Sequence, residues 1–294
     1  MSHQPGRLRQ FLLIALLSVL LVRALGAQQP WQSLFNGRDL EGWRIVIGNG
    51  QARDTNHLVQ VDQGMIHMYK DAAQGSRQPA GYILSDKEYS NYHLRLEYKW
   101  GEKRFGDRVK AKRDAGILYH AIGKDGVWPT SVECQIQETD VGDIWTVRTR
   151  VQGFVDPATT NRFAVVTNLA GKILTNEVAP VYLPAERGGV AVIRGKAGQI
   201  QRIIRSPMNE REGWNTVEVI VHGDQATYTV NGKVNNEARK IQQLVDGNWV
   251  PLTKGRIALQ LEFAEVYYRN IEIQELPKKA VGPKRILDES PGRK

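Results

Sequence analysis

A single cysteine, Cys134, stands among 294 residues, so no disulfide closes within the chain and the core must hold by packing alone. Long hydrophobic runs are missing too. The longest, Phe11 to Val22, is about a dozen residues, short of the roughly 20 that cross a bilayer as a helix. The nucleophile elbow, the phosphate loop, the HExxH pair and the dinucleotide fingerprint are all absent, so elbow-serine hydrolysis, phosphoryl transfer, zincin chemistry and nicotinamide redox have no marker here. Helical periodicity is scarce: only Glu237 to Val245, stopping before Gly247, reads as a short helix.

The net charge of +9 suggests nucleic acid at first sight, but most of it sits at the ends. Arg7, Arg9 and Arg23 lie at the start. The stretch after Pro277 sets six basic residues against Asp288 and Glu289, which leaves about +2 in between. Residues 277–294 therefore read as a basic, disordered tail, and no nucleic-acid partner is expected.

At the N-terminus, Arg7 and Arg9 precede the apolar run, and Ala24, Gly26 and Ala27 follow it. This is the layout of a secretory signal peptide, assigned to residues 1–27, with an uncleaved anchor as the alternative. The cleavage zone carries no cysteine for a lipid anchor. The reading places the protein in the periplasm or outside the cell, with no stable membrane span after cleavage. Residues 28–276 are long enough for one packed domain, since all-β sandwiches reach about 200–250 residues as single units.

The periodicity that is present is two. Tyr92, Leu94, Leu96 and Tyr98 alternate with His93, Arg95, Glu97 and Lys99, which marks a half-buried strand. Val132, Cys134 and Ile136 alternate with Glu133, Gln135 and Gln137, and Ile257, Leu259 and Leu261 alternate with Arg256, Gln260 and Glu262. Asn231-Gly232 after Tyr228–Val230 predicts a tight hairpin turn. Near Asn270 the alternation of Val266 to Ile273 slips, as a bulge or sheet edge requires. Thr149 to Glu212, rich in proline and glycine, reads as long loops with short strands over one side. Many short strands between turn residues predict an all-β sandwich or jelly roll.

Three strands offer polar faces: Asp114, Gly116 and His120 on one, Glu133, Gln135 and Gln137 on the next, Gln260 and Glu262 on the third. Side by side, they would gather carboxylates, carboxamides and an imidazole in one groove, groups that pair with sugar hydroxyls. Trp145 and Trp128 lie just beyond and suit stacking on a sugar ring. The plainer reading is a solvated sheet face. His57 and His67 read as structural or surface groups, and Trp31 and Trp43 as packing anchors.

The same segments carry a family resemblance. Trp31 to Trp43 resembles "LFNGxxLxGW" of the 3-keto-disaccharide hydrolase domain, and Tyr92 to Lys99 its "fxLxxEyK" strand. Asp114 to His120 resembles "NSGIxxR", and Glu133 to Glu138 with Gly142 to Trp145 resembles "ExQIxE…GDxW". Gly213-Trp-Asn215, Asn231-Gly232, Gly255 to Gln260 and Tyr268 to Ile271 complete the order. The resemblance implies a concanavalin A-like jelly roll β-sandwich that acts on 3-keto-glycosides, as 3-keto-glucoside-1,2-lyase, as 3-keto-2-hydroxy-glucal hydratase, or as both. A C3 ketone acidifies the C2 hydrogen; a base removes it, the C1 substituent leaves, and water then adds.

Carried over residue by residue, Glu133 and Gln135 match "ExQ" and Gln260 matches "GxIxLQ". Glu262 stands where many relatives have His, His120 where they have Arg, and Asp114 where they have Asn. The catalytic set is therefore His120, Glu133 and Glu262, and the substrate-binding set Asp114, Gln135, Trp145 and Gln260. Arg269 and Asn270 match "RNI" in a structural role. A divalent cation near His120 and the carboxylates would stabilise an enolate. A sugar 3-dehydrogenase is implied as the functional partner that supplies the oxidised sugar. The alternatives are a noncatalytic, lectin-like carbohydrate-binding module and a conventional two-carboxylate glycosidase.

Overall fold

The computed structural model describes residues 29–277, apart from 49, 51–53, 162 and 168–172. The expected signal peptide and the tail after Pro277 lie outside the described residues. Two antiparallel sheets form a concanavalin-like jelly-roll sandwich. The smaller has seven strands, in the order Ile200–Ile203, Ile144–Val147, Thr130–Gln137, Asp114–Ile122, Arg256–Leu261, Gly81–Ser85 and Trp43–Ile47. In the larger, Asn91–Arg104 is central, flanked by Asn215–His222 and Ala264–Glu275. Phe163–Thr167 and Ile173–Val178 pair as a separate ribbon. Among the described residues no helix is long and apolar enough to cross a membrane.

Alternation decides what each face does, because successive strand residues point to opposite sides. Tyr92, Leu94, Leu96 and Tyr98 from the larger sheet share one core with Val132, Cys134 and Ile136 and with Ile257, Leu259 and Leu261 from the smaller. All of them are fully buried. The odd-numbered neighbours of Val132, Cys134 and Ile136 and the even-numbered neighbours of Ile257, Leu259 and Leu261 are thereby committed to the outer face of the smaller sheet. The Asn231-Gly232 turn forms, with positive φ at both positions, and joins Gln225–Val230 to Lys233–Val245. Asn270 is a bulge, with φ of 49° and a register shift between Arg269 and Glu272.

Two expectations are corrected. Glu237 to Val245 is no helix; it belongs to the strand Lys233–Val245. Lys240 takes a φ of 48°, and the buried side chains on either side of it are Ala238 and Ile241. That irregularity sets two inward residues three apart, which in sequence imitates a helical stripe. The stretch Thr149 to Glu212 holds the expected short strands, but they join both sheets instead of lying over one side. Thr149–Val155 and Val190–Arg194 extend the larger sheet, and Ile200–Ile203 forms the edge of the smaller.

Candidate active site

Register builds the site on the outer face of the smaller sheet. Glu133 pairs with Leu118 on one side and Trp145 on the other, Gln135 lies opposite Gly116, and Gln137 lies opposite Asp114. Glu262, just past the end of Arg256–Leu261, bridges back to Asp114. Gly116 is the pivot of this arrangement. A Cβ at that position would overlap both Glu133 Oε1 and Gln260 Oε1. The missing side chain lets a carboxyl and a carboxamide from the two flanking strands lean over the same point.

Charge in the cluster is unbalanced. Asp114, Glu133 and Glu262 stand together, and one guanidinium, that of Arg108, reaches them from the short 3-10 turn Gly106–Arg108. Arg108 donates through Nη2 to Asp114 Oδ2 and through Nη1 to Glu262 Oε1, the latter at 3.0 Å. Gln137 Nε2 donates to the same Asp114 oxygen at 2.6 Å. Burial and mutual repulsion raise proton affinity throughout the cluster. Burial, then the charge of Glu262, pushes Glu133 well above the usual carboxylate range. Burial and the charge of Asp114 push Glu262 up to about 8 against the pull of Arg108. Asp114 is raised by burial, with Arg108 again opposing.

Several buried polar atoms here lack a partner, which is costly unless a ligand supplies one. The oxygens Asp114 Oδ1, Gln135 Oε1 and Gln260 Oε1 have no donor, and Trp145 Nε1 has no acceptor. The three oxygens fit hydroxyl donors. The strands beneath are fixed by tyrosines crossing the core: Tyr268 Oη donates to the Gln260 carbonyl at 3.0 Å, and Tyr228 Oη donates to Tyr119 Oη at 2.8 Å.

The structure thus brings together Asp114, Glu133, Gln135, Trp145, Gln260 and Glu262. It does not bring His120 to them. A register shift between Tyr119 and Ile122 and a φ of 51° at His120 reverse the alternation there. Ala121 takes the outer face, and the His120 imidazole turns to the other sheet, its Nε2 2.7 Å from the Gly223 carbonyl. Burial lowers its pKa to about 4. A neutral ring facing a backbone carbonyl has no part in acid–base work at the cluster. The sequence pattern carries no mark of this bulge, so parity counting places the ring on the wrong face.

A divalent cation beside His120 and the carboxylates does not fit this arrangement. The imidazole points elsewhere, and Arg108 already bridges Asp114 and Glu262. Among the described residues no group of three or more His, Cys, Asp and Glu side chains is arranged to hold a metal ion. Arg108 itself is the residue that sequence reading missed. It lies among Arg104, Lys110, Lys112 and Arg113, a run that reads as a solvated charge cluster until the fold places it.

The other aromatic groups divide in role. Trp145 borders Glu133 and carries Arg202 over its ring, at 5.3 Å from guanidinium carbon to centroid. Trp128 instead covers a small outer cluster of Val46, Tyr82, Leu84, Leu118, Ala121 and Ala258. His67 is bonded to Glu265, 2.8 Å away, and Arg269 pairs with Glu97 at 2.6 Å, both structural placements. A surface cleft of about 890 Å³ lies against the larger sheet, lined among others by Trp100, Arg113, Glu138 and Glu210. Arg113 holds Glu138 there, and Trp100 donates to Glu210. None of the candidate catalytic or substrate-binding residues read from the sequence lines it.

The chain is similar in fold to a glycosyl hydrolase-designated protein of Parabacteroides distasonis, at 18% identity and a TM-score of 0.46, covering 84% of this chain and 94% of that one. A Bacillus subtilis protein with a galectin-like fold matches at 12% identity and a TM-score of 0.42, over 86% and 98% of the two chains. Bacillus licheniformis beta-glucanase matches at 10% identity and 0.39, over 85% and 99%. No curated protein matches the chain. The sequence match that decides the family spans residues 30–274, nearly all of the described structure and every member of the cluster. By that match the chain belongs to the family of 3-keto-alpha-glucoside-1,2-lyase-like domains, a carbohydrate-active family.

Proposed function

We propose that the protein cleaves 3-keto-glycosides by removing the C2 proton and expelling the C1 substituent, and that water then adds to the 2-hydroxy-glycal. The observation that carries this reading is the packing of three carboxyl groups, two of them bridged by the Arg108 guanidinium, on the face where family membership calls for a sugar. A C3 ketone acidifies the C2 hydrogen, and stabilising the enolate oxygen lowers the barrier to its removal further. Arg108 is the fixed cation for that oxygen, a preorganised donor of the kind that supplies much of an enzyme's rate. Glu262, with its proton affinity raised to about 8, is matched to proton abstraction near neutrality. Glu133, whose proton affinity burial raises, donates to the departing C1 oxygen. Gln135, Gln260 and Asp114 Oδ1 accept hydrogen bonds from ring hydroxyls, and Trp145 borders the ring.

A binding module alone has no need of three carboxyls held at raised proton affinity, which favours catalysis. Oxidation at C3 occurs on another protein in this reading, a sugar 3-dehydrogenase acting as functional partner. Export to the periplasm or beyond belongs to the same proposal and rests on the N-terminal layout. The test is turnover of a 3-keto-glucoside by Glu262→Gln and Glu133→Gln. Loss of general acid–base catalysis lowers kcat by about 10²–10⁴, with KM little changed. Wild-type turnover in both variants sinks the assignment.

A further inference from the structure

The row that begins at Leu118 and Glu133 continues through Trp145 to Arg202 on the edge strand Ile200–Ile203. Arg202 stacks over Trp145 and also lines a cleft of about 490 Å³ with Lys112, Asp140 and Arg205. That volume lies within the usual range of small-molecule sites, about 300–1,000 Å³. Three cations therefore face the cleft with Asp140 as the carboxylate among its lining. Lys112 Nζ is 2.8 Å and Arg205 3.3 Å from Asp140. A second acid, Asp143, lies fully buried at 3.5 Å from Arg202 and 3.8 Å from Arg205. Burial raises Asp143 to about 7, so two acids do not fully offset three cations.

Unpaired atoms divide the face by polarity. On the carboxyl side the orphans are acceptors: Asp114 Oδ1, Gln135 Oε1 and Gln260 Oε1. On the Arg202 side three of them are donors, Trp145 Nε1, Arg202 Nε and Arg205 Nε, beside one acceptor, Asp143 Oδ2. Hydroxyls satisfy the first group. The second wants an acceptor-rich anion, and guanidinium groups suit a planar carboxylate or a sulfate.

We propose that the substrate is an anionic glycoside, whose reacting ring lies over Glu133 and Gly116 and whose carboxylate or sulfate sits in the Lys112–Arg202–Arg205 cleft. This rests on the reading that the outer face takes a glycoside, but its test needs no oxidised sugar. Binding of the full chain is measured calorimetrically for two matched pairs: methyl glucoside against methyl glucuronide, and phenyl glucoside against 4-carboxyphenyl glucoside. At least one anionic member binds about tenfold more tightly than its neutral twin, and added salt reduces the difference. The pair that discriminates tells whether the anion belongs to the sugar or to the leaving group. The preference disappears in Arg205→Gln, and weakens in Lys112→Gln, whose half-exposed side chain makes it the safer variant for folding. Equal affinities within both pairs, no binding by either anionic probe, or a preference that survives both substitutions overturns the proposal. Turnover of a neutral 3-keto-glucoside is read separately, so failure here and failure of the elimination chemistry remain distinct.

Discussion

Replacing Glu262 by Gln removes a charge that the fold holds at a cost, and that cost depends on pH. The carboxyl's proton affinity rises from 4.5 to about 8 on folding, so the folded state binds a proton that the unfolded state has released over that interval. Stability that follows from a raised carboxyl pKa is fully present below the unfolded value and is lost as pH climbs through the folded one. Each pKa unit corresponds to about 1.4 kcal/mol, so the whole interval is worth at most about 5 kcal/mol. Part of that is offset where Arg108 bonds the ionised form at 3.0 Å. A neutral carboxamide keeps the shape and a hydrogen-bonding oxygen without the charge. Urea unfolding followed by tryptophan fluorescence at a series of pH values gives the profile. Near pH 4.5 the two proteins differ little. By about pH 8 the variant is the more stable by a few kcal/mol, and its stability falls less steeply by up to about 1.4 kcal/mol per pH unit. Asp143, also raised, slopes the same way in both proteins, whereas Glu133 and Asp114 lose the repulsion of the Glu262 charge in the variant and so widen the difference in the same direction. Parallel profiles across the interval would refute the electrostatic account of the cluster.

Gly116→Ala places a Cβ into Glu133 and Gln260, so it lowers turnover sharply and costs about 1–3 kcal/mol by overpacking; Gly126→Ala, with only the Trp128 carbonyl near at 3.9 Å, is the matched control in the same kinetic and unfolding assays. His120→Gln leaves kcat on a 3-keto-glucoside within about twofold and lowers stability by about 1–3 kcal/mol through its buried bond to Gly223. A loss of kcat there without loss of stability would return the imidazole to the site.

Much of this site was legible because period two is a rigid rule along a regular strand. Once Val132, Cys134 and Ile136 are assigned to the core, Glu133 and Gln135 have one direction left, and the same holds for Gln260 between Leu259 and Leu261. The rule fails where a bulge adds a residue, and bulges leave faint traces in sequence. His120 was misplaced for that reason, and Lys240 turned part of a strand into an apparent helix. Asn270 gave its bulge away because the alternation visibly slipped across several residues. Arg108 belongs to a different kind of blindness. It sits six positions before Asp114, on a turn outside any strand, where no periodicity says which way a long side chain reaches. Gly116 was visible only as a member of the polar parity; its use as the gap between two side chains needs both neighbours in place.

The most direct test follows the C2 hydrogen. Purified protein is incubated in deuterated buffer with a 3-keto-glucoside and, separately, with its parent glucoside, and the products are weighed by mass spectrometry. The account predicts cleavage of the keto sugar alone, with one solvent deuterium at C2 of the product beyond the exchange seen without enzyme. Cleavage of the parent glucoside, or cleavage of the keto sugar with its C2 hydrogen retained, would contradict it.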